Sequence, residues 1–130
     1  MKFYVASRIK NRDFVKKIHQ EIINKGHTFT SGWVNQKNII PYEKHKQDSS
    51  KLAIECIKQI NDCDVFILIS DENGAGMYTE LGIALQLSNQ KNKPKIYIIG
   101  KYNERSVFFF HPLIIRVETL EEIFTDLENT

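Results

Sequence analysis

The sequence contains few of the residues that build metal sites or disulfide frameworks. Its 130 residues include two cysteines and four histidines. Cys56 and Cys63 fall in one predicted helix and its exit, and no two histidines have the HxxxH spacing of a metal site. We therefore expect no disulfide, no metal and no cofactor, and a reducing cytoplasmic location.

Long apolar runs and a strong charge of either sign are also missing. No stretch approaches the ~20 apolar residues that span a bilayer, and the N-terminal segment lacks the apolar region of a secretory signal. The formal net charge is +2, and the 18 basic residues are scattered. The sequence predicts neither a membrane nor a nucleic-acid partner. The length is that of one domain, so we interpret residues 1–130 as a single domain.

Short apolar segments at regular intervals indicate buried strands. Continuous runs of this length are typical of parallel strands that are covered on both faces. The predicted strands are KFYVAS (2–7), HTFTSGWV (27–34), DVFILIS (64–70) and KIYIIG (95–100), with SVFFF (106–110) and LIIRV (113–117) as one or two short edge strands.

Helical periodicity separates these strands. Asn11 is a candidate N-cap, and Gly26 and the Thr119–Glu122 capping box mark a helix end and a helix start. A polar loop is expected over 35–48, before a helix from 49 to 61. Gly82 is expected to let the next helix, which opens near Met77, pack closely on the sheet. The expected inward residues are Phe14, Ile18 and Ile22; Ala53, Ile57 and Ile60; Leu81, Ala84, Leu85 and Ser88; and Leu120, Ile123, Phe124 and Leu127.

The alternation of strands and helices predicts an α/β fold. We expect a flavodoxin-like (Rossmann-like) three-layer structure, with a five-stranded parallel sheet of order 2-1-3-4-5 and helices on both faces. Ligands of such folds bind beyond the carboxyl ends of the strands. The segments 6–10, 31–34 and 70–80 should converge there.

The third of these segments contains a glycine turn followed by a carboxylate. Gly74-Ala75-Gly76 lacks the GxGxxG and P-loop spacings, so by itself it indicates a tight turn. Glu80 has two interpretations on the residues alone. It is either a helix cap in a first turn or a nucleophile toward an anomeric carbon.

The order of several motifs resembles the nucleoside 2-deoxyribosyltransferase family, which includes deoxynucleoside 5′-monophosphate N-glycosidases. These motifs are KFYVAS, GHTFTSGWV, INDCDVFILIS, GAGMYTELGIAL and KIYIIG, and the tail SVFFFHPLIIRVETLEEIFTDL extends the match over nearly the whole chain. The most specific motif is YTELGIA, which resembles the family signature ELG.A.

The resemblance implies roles for individual residues. Glu80 would attack C1′ of the deoxyribose, with Tyr4 near the sugar and Lys10 at a phosphate. Ser31, Gly32 and Trp33 match the base-facing TS.W segment. The expected substrate-binding set comprises Ala6, Ser7, Arg8, Lys10, Ser31, Trp33, Ser70, Gly74, Gly76 and Met77, with Glu80 and Tyr4 as the catalytic residues.

One position departs from the family pattern. The family commonly has an aspartate eight residues before the position of Asp64, and this chain has Cys56 there. A thiol replaces a carboxylate poorly in acid–base chemistry. Cys56 also lies in the stripe Leu52-Cys56-Ile60, which is typical of a small packed core residue. Asp48, Glu55 and Asp71 are alternative carboxylates among which the sequence does not choose.

Three functions follow as hypotheses. The first is cleavage or transfer of the N-glycosidic bond of a 2′-deoxynucleoside or its 5′-monophosphate, the second a non-catalytic nucleotide-binding module, and the third a TIR-like NAD glycohydrolase. The partner in each case is a small nucleoside or nucleotide. The resemblance and the apolar run Phe108–Phe110 also predict a homodimer or a higher homo-oligomer, with the pocket completed by a neighbouring subunit.

Overall fold

A parallel β-sheet forms the centre of the computed structural model, which describes residues 1–130. The strands are β1 (Lys2–Ala6), β2 (Thr28–Phe29), β3 (Val65–Ile69), β4 (Lys95–Ile99) and β5 (Ile114–Val117). The α-helices are α1 (Arg12–Asn24), α2 (Lys46–Asp62), α3 (Gly76–Lys91) and α4 (Leu120–Glu128). Short 3-10 helices cover Ile9–Asn11, Gly32–Asn35, Tyr42–Lys44 and Val107–Phe110.

The sheet has the order β2-β1-β3-β4-β5 with every neighbouring pair parallel. Phe66 of β3 lies between Tyr4 of β1 and Ile96 of β4. All five residues of β3 are buried, as expected of a central strand with helices on both faces. The predicted three-layer α/β fold and strand order are confirmed.

The helices form the two outer layers. Helices α1 and α4 share one face, where Lys25 pairs with Glu121 at 3.6 Å and Phe124 packs against Phe3. Helices α2 and α3 pack against each other, and right-handed crossovers place them on the opposite face. No helix combines the length and the apolar composition needed to cross a lipid bilayer.

The second strand is shorter than predicted. Pairing with β1 stops at Phe29, and the chain turns into a 3-10 helix at Gly32. Side chains replace the backbone ladder beyond this point, because Ser31 Oγ accepts a bond from the Val5 N–H at 3.2 Å and Trp33 Nε1 donates to the Val5 carbonyl at 2.7 Å. The expectation of a strand through residue 34 is wrong.

The segment SVFFF is also not a strand. Ser106 Oγ accepts a bond from the Phe108 N–H at 3.2 Å and caps a 3-10 helix over Val107–Phe110. Only Phe109 of this turn is buried. The following LIIRV segment does form the edge strand β5, parallel to β4.

Several predicted helix faces differ from the structure. Phe14 is 51% exposed, and Val15 takes the inward position beside Ile18 and Ile22. Helix α2 starts at Lys46, so the polar loop is shorter than expected. Its inward residues are Leu52, Cys56 and Ile60, whereas Ala53 and Ile57 are exposed. Apolar residues occur on both sides of α2, so periodicity does not distinguish its buried face.

The remaining helix predictions vary in outcome. Leu81, Ala84 and Ser88 are buried in α3, and the capping box of Thr119 and Glu122 starts α4. Gly82 is exposed, and a Cβ atom there would meet nothing within 4 Å. The expectation that Gly82 permits close packing on the sheet is therefore wrong.

One buried polar pair joins α1 to the sheet. His19 Nε2 lies 2.7 Å from Ser31 Oγ, and the His19 ring stacks on Phe29 with centroids 3.7 Å apart. Ser31 Oγ accepts from the Val5 N–H and keeps its single hydroxyl proton to donate to His19 Nε2 in the tautomer that leaves this nitrogen unprotonated. Burial lowers the pKa of His19 to about 4.

This pair makes stability depend on pH. The unfolded chain binds a proton at His19 near pH 6.5, whereas the folded protein does so near pH 4. The folded state is therefore stabilised above pH 6.5 and loses that contribution as the pH falls toward 4. We expect the protonation equilibrium of His19 to lower the unfolding free energy by about 2 kcal/mol as the pH falls from 7 to 5.

Urea unfolding of the parent and His19→Gln at both pH values measures this term. The glutamine amide of the variant would keep a polar contact to Ser31 without titrating, so the unfolding free energy of the variant should fall less at pH 5. Equal losses in the two proteins would contradict the assignment.

Candidate active site

The carboxyl ends of β1 and β3 lie side by side at the centre of the sheet. Ala6 is paired with Leu68, and both strands continue into loops at this edge. Helix α3 begins after the second of these loops, at Gly76. Ligand sites of α/β folds occur at such an edge.

Glu80 projects from α3 toward Tyr4 of β1. It is the fifth residue of the helix, and the first turn contains no acidic residue. The expectation that Glu80 lies in the first turn is wrong, and with it the interpretation as a cap. The carboxylate instead lies beside the Tyr4 hydroxyl, with the Cys56 thiol of α2 next to them.

Two polar atoms of this group are buried without a hydrogen-bond partner. They are the hydroxyl oxygen of Tyr4 and Oε2 of Glu80. The large majority of buried side-chain polar atoms in proteins have a partner, so two unpartnered ones side by side are an exception that calls for an explanation.

Burial sets the protonation of all three groups. It raises the pKa of Glu80 to about 7, against the effect of the adjacent Tyr4 hydroxyl, which lowers it. Burial, followed by the neighbouring Glu80 and Cys56, raises the pKa of Tyr4 well above its usual range. Burial also raises the pKa of the Cys56 thiol. Near neutral pH the site thus holds a neutral phenol, a neutral thiol and a carboxyl group that is about half ionised.

The glycine turn before α3 runs close beneath Arg8. Gly74 has φ +118°, and a Cβ atom there would lie 3.0 Å from Met77 Cε and 3.3 Å from Arg8 Cγ. A side chain at position 74 would be strained and crowded. Helix α3 has no side-chain cap at Ala75, so its first N–H groups face this turn without a side-chain acceptor.

A charged cluster around Asp71 lies at the same edge. Its carboxylate is 3.4 Å from Arg8 Nη1 and 4.0 Å from Lys10 Nζ. Burial raises the pKa of Asp71, but the Asn73 N–H, Lys10, Asn11 and Arg8 together hold that pKa below its usual range. This cluster is cationic overall, in contrast to the apolar surroundings of Glu80.

The other predicted residues occupy two kinds of position. Ala6, Ser7, Ser70 and Met77 form the buried floor at the strand ends, where Ser70 Oγ accepts a bond from the Tyr102 N–H at 3.2 Å. Ser31 and Trp33 use their polar side-chain atoms within the protein, as described above. Gly76 is exposed at the first position of α3.

Three further residues belong to the charged cluster and were not predicted for the site. Asn11 makes no capping bond with its side chain and instead donates to Asp71 Oδ2 at 3.4 Å. Tyr78 and Arg105 both donate to the Asp71 carbonyl, at 2.8 and 2.6 Å. The sequence signal was the aspartate directly after the buried strand FILIS, which marks a polar group at the carboxyl edge.

Comparison with known proteins shows a likeness of fold. No described protein family and no curated protein matches the chain by sequence. The solved structure of the Clostridium botulinum CMP N-glycosidase BcmB is similar, with a TM-score of 0.58 and 17% sequence identity over 98% of this chain and 99% of that chain. The two proteins therefore share a fold over nearly their whole lengths.

The contact between Tyr4 and Glu80 generates a prediction for Tyr4→Phe. The hydroxyl lowers the pKa of Glu80, so its removal should raise that pKa further above 7. The hydroxyl lies close enough to Glu80 to lower that pKa, but no hydrogen bond joins the two groups in the folded protein. Its removal should therefore leave the unfolding free energy equal or raise it. A pH titration of ¹³C-labelled glutamate carboxyl groups by NMR measures the shift.

Tyr97→Phe is the matched control. Tyr97 is also a buried strand tyrosine, but its hydroxyl donates to Asp126 at 2.5 Å. Its loss should cost about 1–3 kcal/mol of stability and leave the pKa of Glu80 unchanged. A Glu80 pKa that does not move in Tyr4→Phe would contradict the proposed contact.

Proposed function

We propose that this protein cleaves the N-glycosidic bond of a nucleoside or nucleoside 5′-monophosphate, with Glu80 as the nucleophile. The observation that carries the proposal is the buried pair of Tyr4 in β1 and Glu80 in α3, with two unpartnered oxygen atoms. The resemblance of YTELGIA to the ELG.A signature supports it independently. The fold shared with a CMP N-glycosidase is consistent with both.

The chemistry follows from one carboxylate in an apolar site. A Glu80 oxygen attacks C1′ of the sugar, a C–O bond forms, and the C1′–N bond breaks with its electron pair leaving on the base. The base takes up a proton as it departs. Water then attacks C1′ of the glycosyl ester, releases the sugar and regenerates the carboxylate; a second base in place of water would give transfer.

Tyr4 supports the carboxylate in this scheme. Its pKa is raised, so its hydroxyl stays protonated near neutral pH and is available as a donor. A donor beside Glu80 favours the ionised form that attacks the sugar. Tyr4 also closes the apolar side of the site, where it stacks on Phe66 with ring centroids 5.7 Å apart.

The charged cluster around Asp71 favours a ligand with an anionic group. The side chains of Arg8 and Lys10 are 31% and 60% exposed, so both can reach a ligand. Glu80 lies four residues after Gly76, which is about 6 Å along the helix. We therefore favour the monophosphate over the free nucleoside.

Cys56 supports a second candidate function, a nucleotide-binding module without turnover. Its thiol has a raised pKa and remains protonated, so it is a weaker acid than the aspartate of the resembled family. In the enzyme hypothesis the leaving base takes its proton from solvent. In the binding hypothesis the base does not leave.

Glu80→Gln distinguishes these functions. We expect the parent to release free base from at least one of cytidine, deoxycytidine, CMP, dCMP, the corresponding purine compounds or NAD, measured by chromatography. The substitution should lower this rate by at least about 10³-fold, because the amide is not a nucleophile, while ligand binding persists.

Glu72→Gln is the control, since Glu72 is exposed in the loop before the same helix. It should retain the parent rate. Base release by Glu80→Gln at the parent rate would exclude the nucleophile. A parent that binds a monophosphate and releases no base would favour the binding module, and release of nicotinamide from NAD would favour the TIR-like hydrolase.

We also propose that the chain forms a homodimer through the surface of Val107, Phe108 and Phe110. These three exposed side chains adjoin a cavity of about 510 Å³ between α3 and the 3-10 turn, lined by Tyr78, Leu81, Leu85, Phe108 and Phe109 among others. A projecting aromatic side chain beside an apolar cavity is self-complementary under a two-fold axis. Exposed apolar patches of this kind commonly meet a partner.

The test is the mass in solution by light scattering. The parent should have the mass of two chains, and Phe108→Ser should shift the protein toward the monomer. Phe14→Ser removes an aromatic side chain of similar exposure, 51% against 64% for Phe108, from α1 on the opposite face and should leave the dimer intact. A monomeric parent at working concentrations would exclude the dimer.

A further inference from the structure

Asp71 is the only acidic residue among the buried polar residues of the chain, with 8% of its surface exposed. It follows β3 by two positions, at the carboxyl edge beside the proposed active site. A buried carboxylate is costly unless donors and cations surround it. The Asp71 carboxylate meets this requirement with groups from two loops, the one after β1 and its own.

The carboxylate holds the loop after β1. Arg8 Nη1 lies 3.4 Å from Oδ1, and Asn11 Nδ2 lies 3.4 Å from Oδ2. Lys10 Nζ is 4.0 Å from Oδ2, and the Asn73 N–H donates to Oδ1 at 3.1 Å within the loop of Asp71 itself. The contacts to the cations are long, so neither cation is fully engaged.

The backbone carbonyl of Asp71 holds two further groups. Arg105, from the loop after β4, donates to this oxygen at 2.6 Å, and the Tyr78 hydroxyl of α3 donates at 2.8 Å. Arg105 Nη1 also lies 3.4 Å from the Tyr78 hydroxyl. One residue therefore connects the loops after β1, β3 and β4 and the start of α3.

The cluster keeps an excess of positive charge and of donors. Three cations lie around Asp71: Arg8 and Lys10 face its carboxylate, and Arg105 donates to its backbone carbonyl. An arginine has five N–H donors and a lysine three, and each of these side chains uses a minority of them on Asp71 or Tyr78. The remaining donors are available to a second anion.

We propose that Asp71 is a positioning residue that arranges Arg8, Lys10 and Arg105 around the 5′-phosphate of the substrate before the substrate binds. The inference rests on the proposed function and specifies its substrate class as a nucleoside monophosphate. Asp71 does not touch the reacting atoms. It holds long, flexible cationic side chains in place, which lowers the ordering cost of binding.

Asp71→Asn separates positioning from charge. The substitution adds one positive charge to the cluster, so an effect of charge alone would tighten binding of a phosphate. A positioning role predicts the opposite. We expect the Kd of CMP, measured by calorimetry, to weaken about tenfold, and the Kd of cytidine to stay unchanged. Where turnover is measurable, KM for CMP should rise more than kcat falls.

Asp126→Asn is the matched control. Asp126 bonds to Lys95 at 2.8 Å and to Tyr97, near the start of β4 at the opposite edge of the sheet. Asp126→Asn makes the same change in net charge as Asp71→Asn and should leave CMP binding unaltered. Circular dichroism establishes that each variant is folded.

Tyr78→Phe tests the same idea without any change of charge, and it applies if Asp71→Asn does not fold. Loss of the bond to the Asp71 carbonyl should weaken CMP binding several-fold and leave the binding of cytidine unchanged. Unchanged or tighter CMP binding in the folded variants would overturn the inference. A parent that binds CMP but releases no base would refute the proposed cleavage and leave this inference standing, whereas a parent that binds no nucleoside monophosphate would refute both.

Discussion

The pairing of β1 with β3 is the contact on which the rest of the molecule depends. These strands are about sixty residues apart in the chain, yet they pair directly from Phe3 with Val65 to Ala6 with Leu68. Their parallel direction brings both carboxyl ends to one edge. The loops that carry Arg8 and Asp71, and the helix that carries Glu80, all start from this edge. A change in this register would therefore disrupt both the charged cluster and the position of the buried Glu80 carboxylate.

Two acidic residues at this edge are held in opposite states by their surroundings. Glu80 is placed against apolar groups and Tyr4, and burial raises its pKa to about 7. Asp71 is also buried, but an N–H donor and cations hold its pKa below its usual range. Environments that push the pKa values of two carboxyl groups apart in this way suit the two groups to different roles. Asp71 is a permanent anion that organises cations, whereas Glu80 changes its charge near neutral pH.

The site also differs from the rest of the core in its polar atoms. Most of the interior consists of aliphatic and aromatic side chains from the five strands, yet Tyr4 Oη and Glu80 Oε2 are buried without partners. An unpartnered buried oxygen destabilises the folded state. Perturbed pKa values such as those of Tyr4 and Glu80 cluster at functional sites.

The sequence by itself determined the α/β class, the parallel sheet and its strand order, and the location of Glu80 near a strand end. These features depend on local periodicity and on general rules of connection, which a single chain displays directly. Only the tertiary structure decided the short β2, the inward face of α2 and the bonds of Asp71. Arg8 and Asp71 are 63 residues apart, and Arg105 and Asp71 are 34 apart. Contacts over such separations depend on how loops and helices pack, and no local pattern of residues encodes that packing.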